Sequence, residues 1–227
     1  MLHYNSYESL SIAAAHFFTA ECERCIMKNN RFMVALSGGN TPKRLYELLA
    51  SPSFSKNIDW KKVYIFFSDE RYVPANNDAS NFKMAATTLL DHVPVPRKNI
   101  FAIPTASTPA KDAAKYELDL KKIFGSRIPA FDLVLLGMGD DGHTASLFPD
   151  SEILNEKNRL IKEVYIKEKQ AWRISFTLPL INHAKQILLL VSGKEKAPVL
   201  KKVMSKQKTK SLLPVQLIKG NILWMIS

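Results

Sequence analysis

Short apolar runs recur along this chain at intervals that a layered protein requires. Residues 32–36 (FMVAL), 63–67 (VYIFF), 133–136 (LVLL), 186–191 and 222–226 are too short for helices and too continuous for half-exposed strands. They predict strands buried on both faces. Between them the apolar positions fall at helical spacing, over 7–28, 43–49, a stretch ending near Leu90 that Ser80 or Asp78 would cap, and 112–124. Residues 194–210 alternate lysines with Ala197, Val199, Leu200, Val203 and Met204, as the solvated back of an amphipathic helix does. Pro94 and Pro96 interrupt the pattern, 100–103 is a strand-like piece, and 159–166 reads as extended. Residues 171–178 alternate strictly, with Arg173, Ser175 and Thr177 on one face and Ile174, Phe176 and Leu178 on the other. Such a polar face either lines a site or lies half exposed. Residues 179–183 make a turn or short helix. Strands alternating with helices predict an α/β fold with a largely parallel sheet. No repeat, linker or low-complexity segment divides the sequence, so one domain is expected over residues 1–227.

In sheets of this kind, ligands bind beyond the carboxyl ends of the strands. Four predicted strands end in polar turns there: 37–41, 69–71, 137–143 and 192–196. The first, Ser37-Gly-Gly-Asn-Thr-Pro42, precedes a helix, with Thr41 suited to cap it and Pro42 to begin it. Two glycines before a helix start present free backbone N–H groups, and Ser37, Asn40 and Thr41 add side-chain donors. This is a cradle for phosphate or carboxylate; the plain alternative is a tight turn without a ligand. It lacks the Gly-Lys-Ser/Thr ending of a nucleotide-binding loop. Asp69-Glu-Arg71 sets acid and guanidinium side by side, as an active-site edge or as an ordinary ion pair.

The 131–149 stretch, FDLVLLGMGDDGHTASLFP, carries the densest chemistry. It joins a buried strand to glycines, two aspartates and His143, and a histidine beside a carboxylate is a common proton-handling pair. Gly137-Met-Gly139-Asp-Asp-Gly142 formally satisfies G-x-G-x-x-G. A dinucleotide site is not expected, because Pro149 cuts any helix short and Asp140 and Asp141 would face the pyrophosphate. His143 therefore reads as a base acting on water or a carbon acid, held by Asp141 or another carboxylate. No Gly-x-Ser-x-Gly elbow and no convincing metal-ligand spacing occurs, and the remaining histidines are singletons.

Composition narrows the setting. The chain has 227 residues, enough for a sizeable core, and no apolar run reaches the ~18–20 residues of a membrane span. Its start lacks a signal peptide's pattern, so a cytoplasmic protein is expected. Cys22 and Cys25 spell C-x-x-C inside a helical pattern rather than at a strand-to-helix turn, and read as reduced thiols. A net charge of +11 suits nucleic acid, an acidic surface or a small anionic substrate. The basic run has no interleaved aromatics, so a single-strand stacking platform is not indicated.

Taken together, Ser37–Pro42, Asp69-Glu-Arg-Tyr-Val-Pro74 with Ser80-Asn81, and Gly137 through Pro149 make the chain resemble 6-phosphogluconolactonases. Arg173-Ile-Ser-Phe-Thr-Leu-Pro179 and Ser192-Gly-Lys-Glu-Lys-Ala197 resemble that family's later blocks. The resemblance implies a Rossmann-like three-layer α/β/α fold, shared with glucosamine-6-phosphate deaminases and ribose-5-phosphate isomerases. It implies hydrolysis of 6-phospho-D-glucono-1,5-lactone to 6-phosphogluconate in the oxidative pentose phosphate pathway, with no cofactor and no metal. It also implies that His143 is the general base and that Asp141 holds its ring or positions substrate. Gly38, Gly39 and Thr41, with Arg71, Arg173 and Lys196, would grip phosphate or stabilise the oxyanion; Lys196 matches a phosphate-binding lysine of the related deaminases. Asp69, with Ser37, completes the expected substrate-binding set. A small sugar phosphate is the expected partner, with no nucleic acid or membrane. Three alternatives remain: an isomerase or deaminase on this scaffold with Asp69 as carbon-acid base, a sugar-phosphate sensor without catalysis, and, third, a nucleic-acid-binding protein.

Overall fold

In a computed structural model, residues 1–125, 128–205 and 212–227 are described. The elements in chain order begin with β1 (Leu2–His3), α1 (Tyr7–Asn29), β2 (Phe32–Leu36), α2 (Asn40–Ala50) and α3 (Pro52–Ser55). Next come β3 (Val63–Phe67), β4 (Asp69–Arg71), α4 (Asn81–Ala85), α5 (Pro109–Phe124) and β5 (Leu133–Gly137). The chain then forms β6 (Ile161–Ile166), β7 (Ala171–Phe176), α6 (Leu178–Ile181), β8 (Ile187–Val191), α7 (Ala197–Met204) and β9 (Ile222–Ile226).

The apolar runs pair as a six-stranded sheet in the order β1-β9-β8-β5-β2-β3, every neighbouring pair parallel. Every residue of β2 and β8 is buried, which is why their sequences show no alternation. Helices flank the sheet, with α1 packed on α2, β2 and β9. The buried stripe of α1 is Leu10, Ala14, Phe18, Cys22 and Cys25, one face of a 3.6-residue period. Both thiols are free, and burial pushes Cys25 up to about 11 and Cys22 higher still, so they are inert. The layered α/β architecture agrees with the reading of the sequence. Among the described residues no helix is long and apolar enough to cross a membrane.

A second sheet of three antiparallel strands, β4-β7-β6, stands beside the first and packs on α5. Its strand β4 is a correction, because Asp69–Arg71 read as a turn but pairs with Arg173–Ser175 of β7. The 100–103 piece forms only a single bridge, Ile100 to Ile65. The helix ending near Leu90 is α4 followed by a wider π turn over Ala86–Leu90, where the Thr88 hydroxyl donates back to the Met84 carbonyl. Ser80 is its cap, accepting from the Lys83 amide. The amphipathic helix after Lys196 is α7; residues 206–210 of the lysine-rich run lie outside the described residues.

Strand order decides where a ligand can sit. From β2 the chain moves outward to β3, whereas from β5 it moves the other way to β8 and β9. The β2–β5 boundary is thus a topological switch point, and the loops leaving their carboxyl ends diverge and open a crevice. Those loops are the glycine-rich turn after Leu36 and the Gly/Asp/His segment after Gly137.

Candidate active site

The first loop is fastened from below. The Tyr46 hydroxyl, buried on α2, accepts from the Ser37 amide at 3.1 Å and donates to the Ser37 carbonyl at 2.8 Å. Gly39, not Thr41, is the N-cap of α2, because its φ of 93° turns the chain into the helix without steric cost. Thr41 lies inside the first turn instead, buried at the crevice. A side chain on Gly38 would overlap the Asn81 amide, so this glycine is required by close approach.

The second loop makes a tight turn in which the Gly139 amide donates to the His143 carbonyl at 2.8 Å. Asp141 Oδ1 accepts from the His143 amide at 2.9 Å and lies 2.5 Å from the ring Nδ1. An ionised carboxylate only accepts, so Nδ1 carries a proton and Nε2 offers its lone pair. Partial burial pushes the Asp141 carboxyl up, but the hydrogen bonds from the His143 ring and amide bring it below its ordinary value. The imidazole lies flat on Phe148, with centroids 4.1 Å apart and planes 17° apart, and the Arg173 guanidinium sits 5.4 Å from the same ring. No helix starts at Gly142; the next is a single turn at Glu152–Asn155, as the exclusion of a dinucleotide site requires.

Strand β4 carries the third group. Asp69 and Arg71 face the crevice, while Glu70 points away and accepts from the backbone amides of Arg71 (2.7 Å), Asn81 (2.7 Å) and Phe82 (2.8 Å) and from Ser80 (3.1 Å). Burial pushes the Glu70 carboxyl up, and those three amides pull against it. Asp69 is just as confined: it accepts from Ser146 at 2.6 Å and from Asn81 Nδ2 at 3.1 Å, with Arg173 at 3.8 Å. Arg71 donates to the Ala79 carbonyl at 2.7 Å. Arg173 reaches the same place from β7, whereas Ser175 and Thr177 of the same polar face are buried against protein, Ser175 accepting from the Ser146 amide and Thr177 donating to the Arg159 carbonyl, so that face meets the site through Arg173 alone. Burial pulls the Arg173 guanidinium below its ordinary value; Asp69 opposes the shift and neighbouring Arg71 adds to it. Lys196 closes the rim just before α7, drawn down by burial and pushed back by Glu195 and Asp140.

These groups line one cavity of about 220 Å³. Of the residues expected from the sequence, Ser37, Gly38, Gly39, Thr41, Asp69, Arg71, His143, Arg173 and Lys196 border it, and Asp141 stands behind the imidazole. Three cations face one carboxylate, which suits a doubly negative ligand. Among the described residues no group of three His, Cys, Asp or Glu side chains could hold a metal ion. Reading the sequence missed Thr144, which borders the cavity, and Ser146 and Phe148, which hold Asp69 and His143. It also gave no role to Asn81. All four lay inside quoted motifs, but nothing in spacing distinguishes a wall residue from its neighbours.

The match to known proteins spans the chain. A relative from Nostoc sp. named 6-phosphogluconolactonase is 43% identical over 210 residues, covering 90% of this chain and 85% of its own. A 6-phosphogluconolactonase of Synechocystis sp. is 41% identical over 214 residues, covering 92% and 87%. The solved structure titled 6-phosphogluconolactonase from Trypanosoma cruzi superposes with a TM-score of 0.87 at 29% identity, over 99% of this chain and 92% of that one. A family model described as glucosamine-6-phosphate isomerases/6-phosphogluconolactonase matches residues 5–224, and the chain belongs to that family.

Proposed function

We propose that the protein hydrolyses 6-phospho-D-glucono-1,5-lactone to 6-phospho-D-gluconate, the lactone step of the oxidative pentose phosphate pathway. The observation that carries this reading is that a carboxylate-held imidazole and a glycine-rich anion cradle border the same cavity. The phosphate lies against Gly38, Gly39 and Thr41 at the start of α2, with Lys196 opposite. Ser37 adds a hydroxyl to that end. Water sits between His143 Nε2 and the lactone carbonyl. As the water oxygen bonds to carbon, its proton passes to Nε2, and Asp141 steadies the resulting imidazolium. Arg173, which shares the Phe148 ring with His143, and Arg71 face the developing oxyanion. The tetrahedral intermediate then breaks its bond to the ring oxygen, which takes the proton from Nε2, and the new carboxylic acid ionises in water.

Asp69 anchors substrate in this scheme. Its oxygens are engaged by Ser146, Asn81 and Arg173, which suits a fixed anion better than a base that must pick up a proton from carbon. The deaminase and isomerase alternative is thereby disfavoured. We take residues 1–227 to act as one domain working in the cytoplasm, where buried thiols stay reduced.

The test runs one preparation against two substrates. Acid release from the lactone is followed above its spontaneous hydrolysis, and ammonia release is followed from glucosamine 6-phosphate. Lactone turnover without ammonia is expected. Ammonia with no lactone turnover refutes the reading, and phosphate-ester binding without either reaction favours a sensor.

A further inference from the structure

Buried polar atoms without a partner are distributed in a telling way. Among the described residues they are Ser37 Oγ, Arg71 Nε, Asn81 Oδ1, Thr144 Oγ1 and Arg173 Nε. All five residues border the one cavity. Leaving such an atom unsatisfied forfeits its hydration with nothing in return, so a fold does not gather them in one place without a ligand to complete them.

Three of the five have an evident use, and a fourth belongs to a residue that frames the site. The two arginine nitrogens are donors for anionic oxygens, and Ser37 belongs to the anion cradle. Asn81 spends its amide nitrogen on the Asp69 carbonyl at 2.9 Å and carboxylate at 3.1 Å, and packs against Gly38, so it holds the frame. Thr144 is left over. It is 1% exposed, its backbone is pinned in a tight turn with Leu147, and no protein group meets its hydroxyl. It also follows the proposed base directly in the chain.

We propose that Thr144 is a further substrate-contacting residue, its hydroxyl bonded to a sugar hydroxyl next to the reacting carbon. The proposal rests on the lactonase reading above. A hydroxyl suits this position because it can donate or accept as the neighbouring carbonyl gains charge, whereas a fixed cation would compete with the arginines for the oxyanion. The fold loses stability by burying this group, and the site gains recognition from it.

Thr144→Val tests the contact, because it removes the hydroxyl and keeps the shape. We expect a melting temperature equal to or above wild type, and kcat/KM lower by about tenfold, the worth of one hydrogen bond. Thr144→Ser should retain most of the activity. The 2-deoxy lactone should lose less from Thr144→Val than the parent lactone does, since one partner of the bond is already absent. A kcat/KM within about twofold of wild type in Thr144→Val refutes the contact. So does a melting temperature that falls in step with activity while Thr144→Ser is equally impaired, which marks a packing role. If wild type hydrolyses no lactone, the proposed function fails, and Thr144 is judged by the thermal shift with 6-phosphogluconate. A smaller shift in Thr144→Val then upholds the contact, and equal shifts refute it.

Discussion

Gly139→Ala isolates the placement of the imidazole from every other property of the site. Gly139 does not need a positive φ, so alanine brings no backbone strain. Its methyl group would overlap the His143 ring and lie 2.8 Å from Asp141 Oδ1. Something must give, and the ring is the softer neighbour, since its side chain is 26% exposed while the loop backbone is tied by the Gly139–His143 hydrogen bond. Overpacking costs about 1–3 kcal/mol in a rigid core, and a side chain able to swing outward puts this case near 1 kcal/mol. Catalysis has no such relief, because a displacement of about 1 Å at a reacting group costs on the order of 10²-fold. The expected outcome is kcat down by about 10², KM changed by less than about threefold, and a melting temperature only slightly lower. The thermal shift given by 6-phosphogluconate should persist, since the phosphate end is untouched. Wild-type kcat in folded Gly139→Ala would refute the claim that ring position governs the chemistry.

Three further outcomes follow from the same geometry. His143→Ala should lower kcat by about 10²–10⁴, the usual worth of a general acid–base group, and wild-type turnover would remove it from the mechanism. Lys196→Ala should mainly raise KM, because a phosphate gripped alike in ground and transition states contributes uniform binding; a loss confined to kcat would place the lysine at the reacting carbon. Glu156 accepts from the amides of Lys157, Asn158 and Arg159 and pairs with Lys162, which holds its carboxyl at about 2 against an ordinary 4.5. A carboxyl lowered by folding stabilises above its unfolded value and loses that contribution as pH falls through the folded one. Urea unfolding of Glu156→Gln should therefore show a deficit near neutrality that shrinks between pH 4.5 and 2; a deficit independent of pH would refute the assignment.

Strand identity was legible because burial on both faces leaves an unbroken apolar run, as in residues 63–67 and 186–191. The anion cradle and the Asp141–His143 pair were legible because their partners lie close in sequence. Part of what escaped is explained by sequence separation. Pairing of Asp69–Arg71 with β7 joins residues about a hundred positions apart, and Ser146 meets Asp69 across 77. Such contacts leave no period and no local spacing to read. The start of α2 escaped for a different reason. Thr41 has the better capping side chain, but the left-handed turn at Gly39 fixed the helix entry first.

Glu70 has a consequence for how the rim can vary. By binding the amides at the start of α4, it joins both ends of the 72–79 segment through a single buried carboxylate. Asp69 takes its direction from partners outside the intervening loop, whereas the Arg71 guanidinium is also tied to the loop's last carbonyl, at Ala79. Lengthening or shortening the loop is therefore expected to leave Asp69 in place and to move Arg71 with Ala79, so the mouth of the site can be reshaped for other sugar phosphates while its floor stays put.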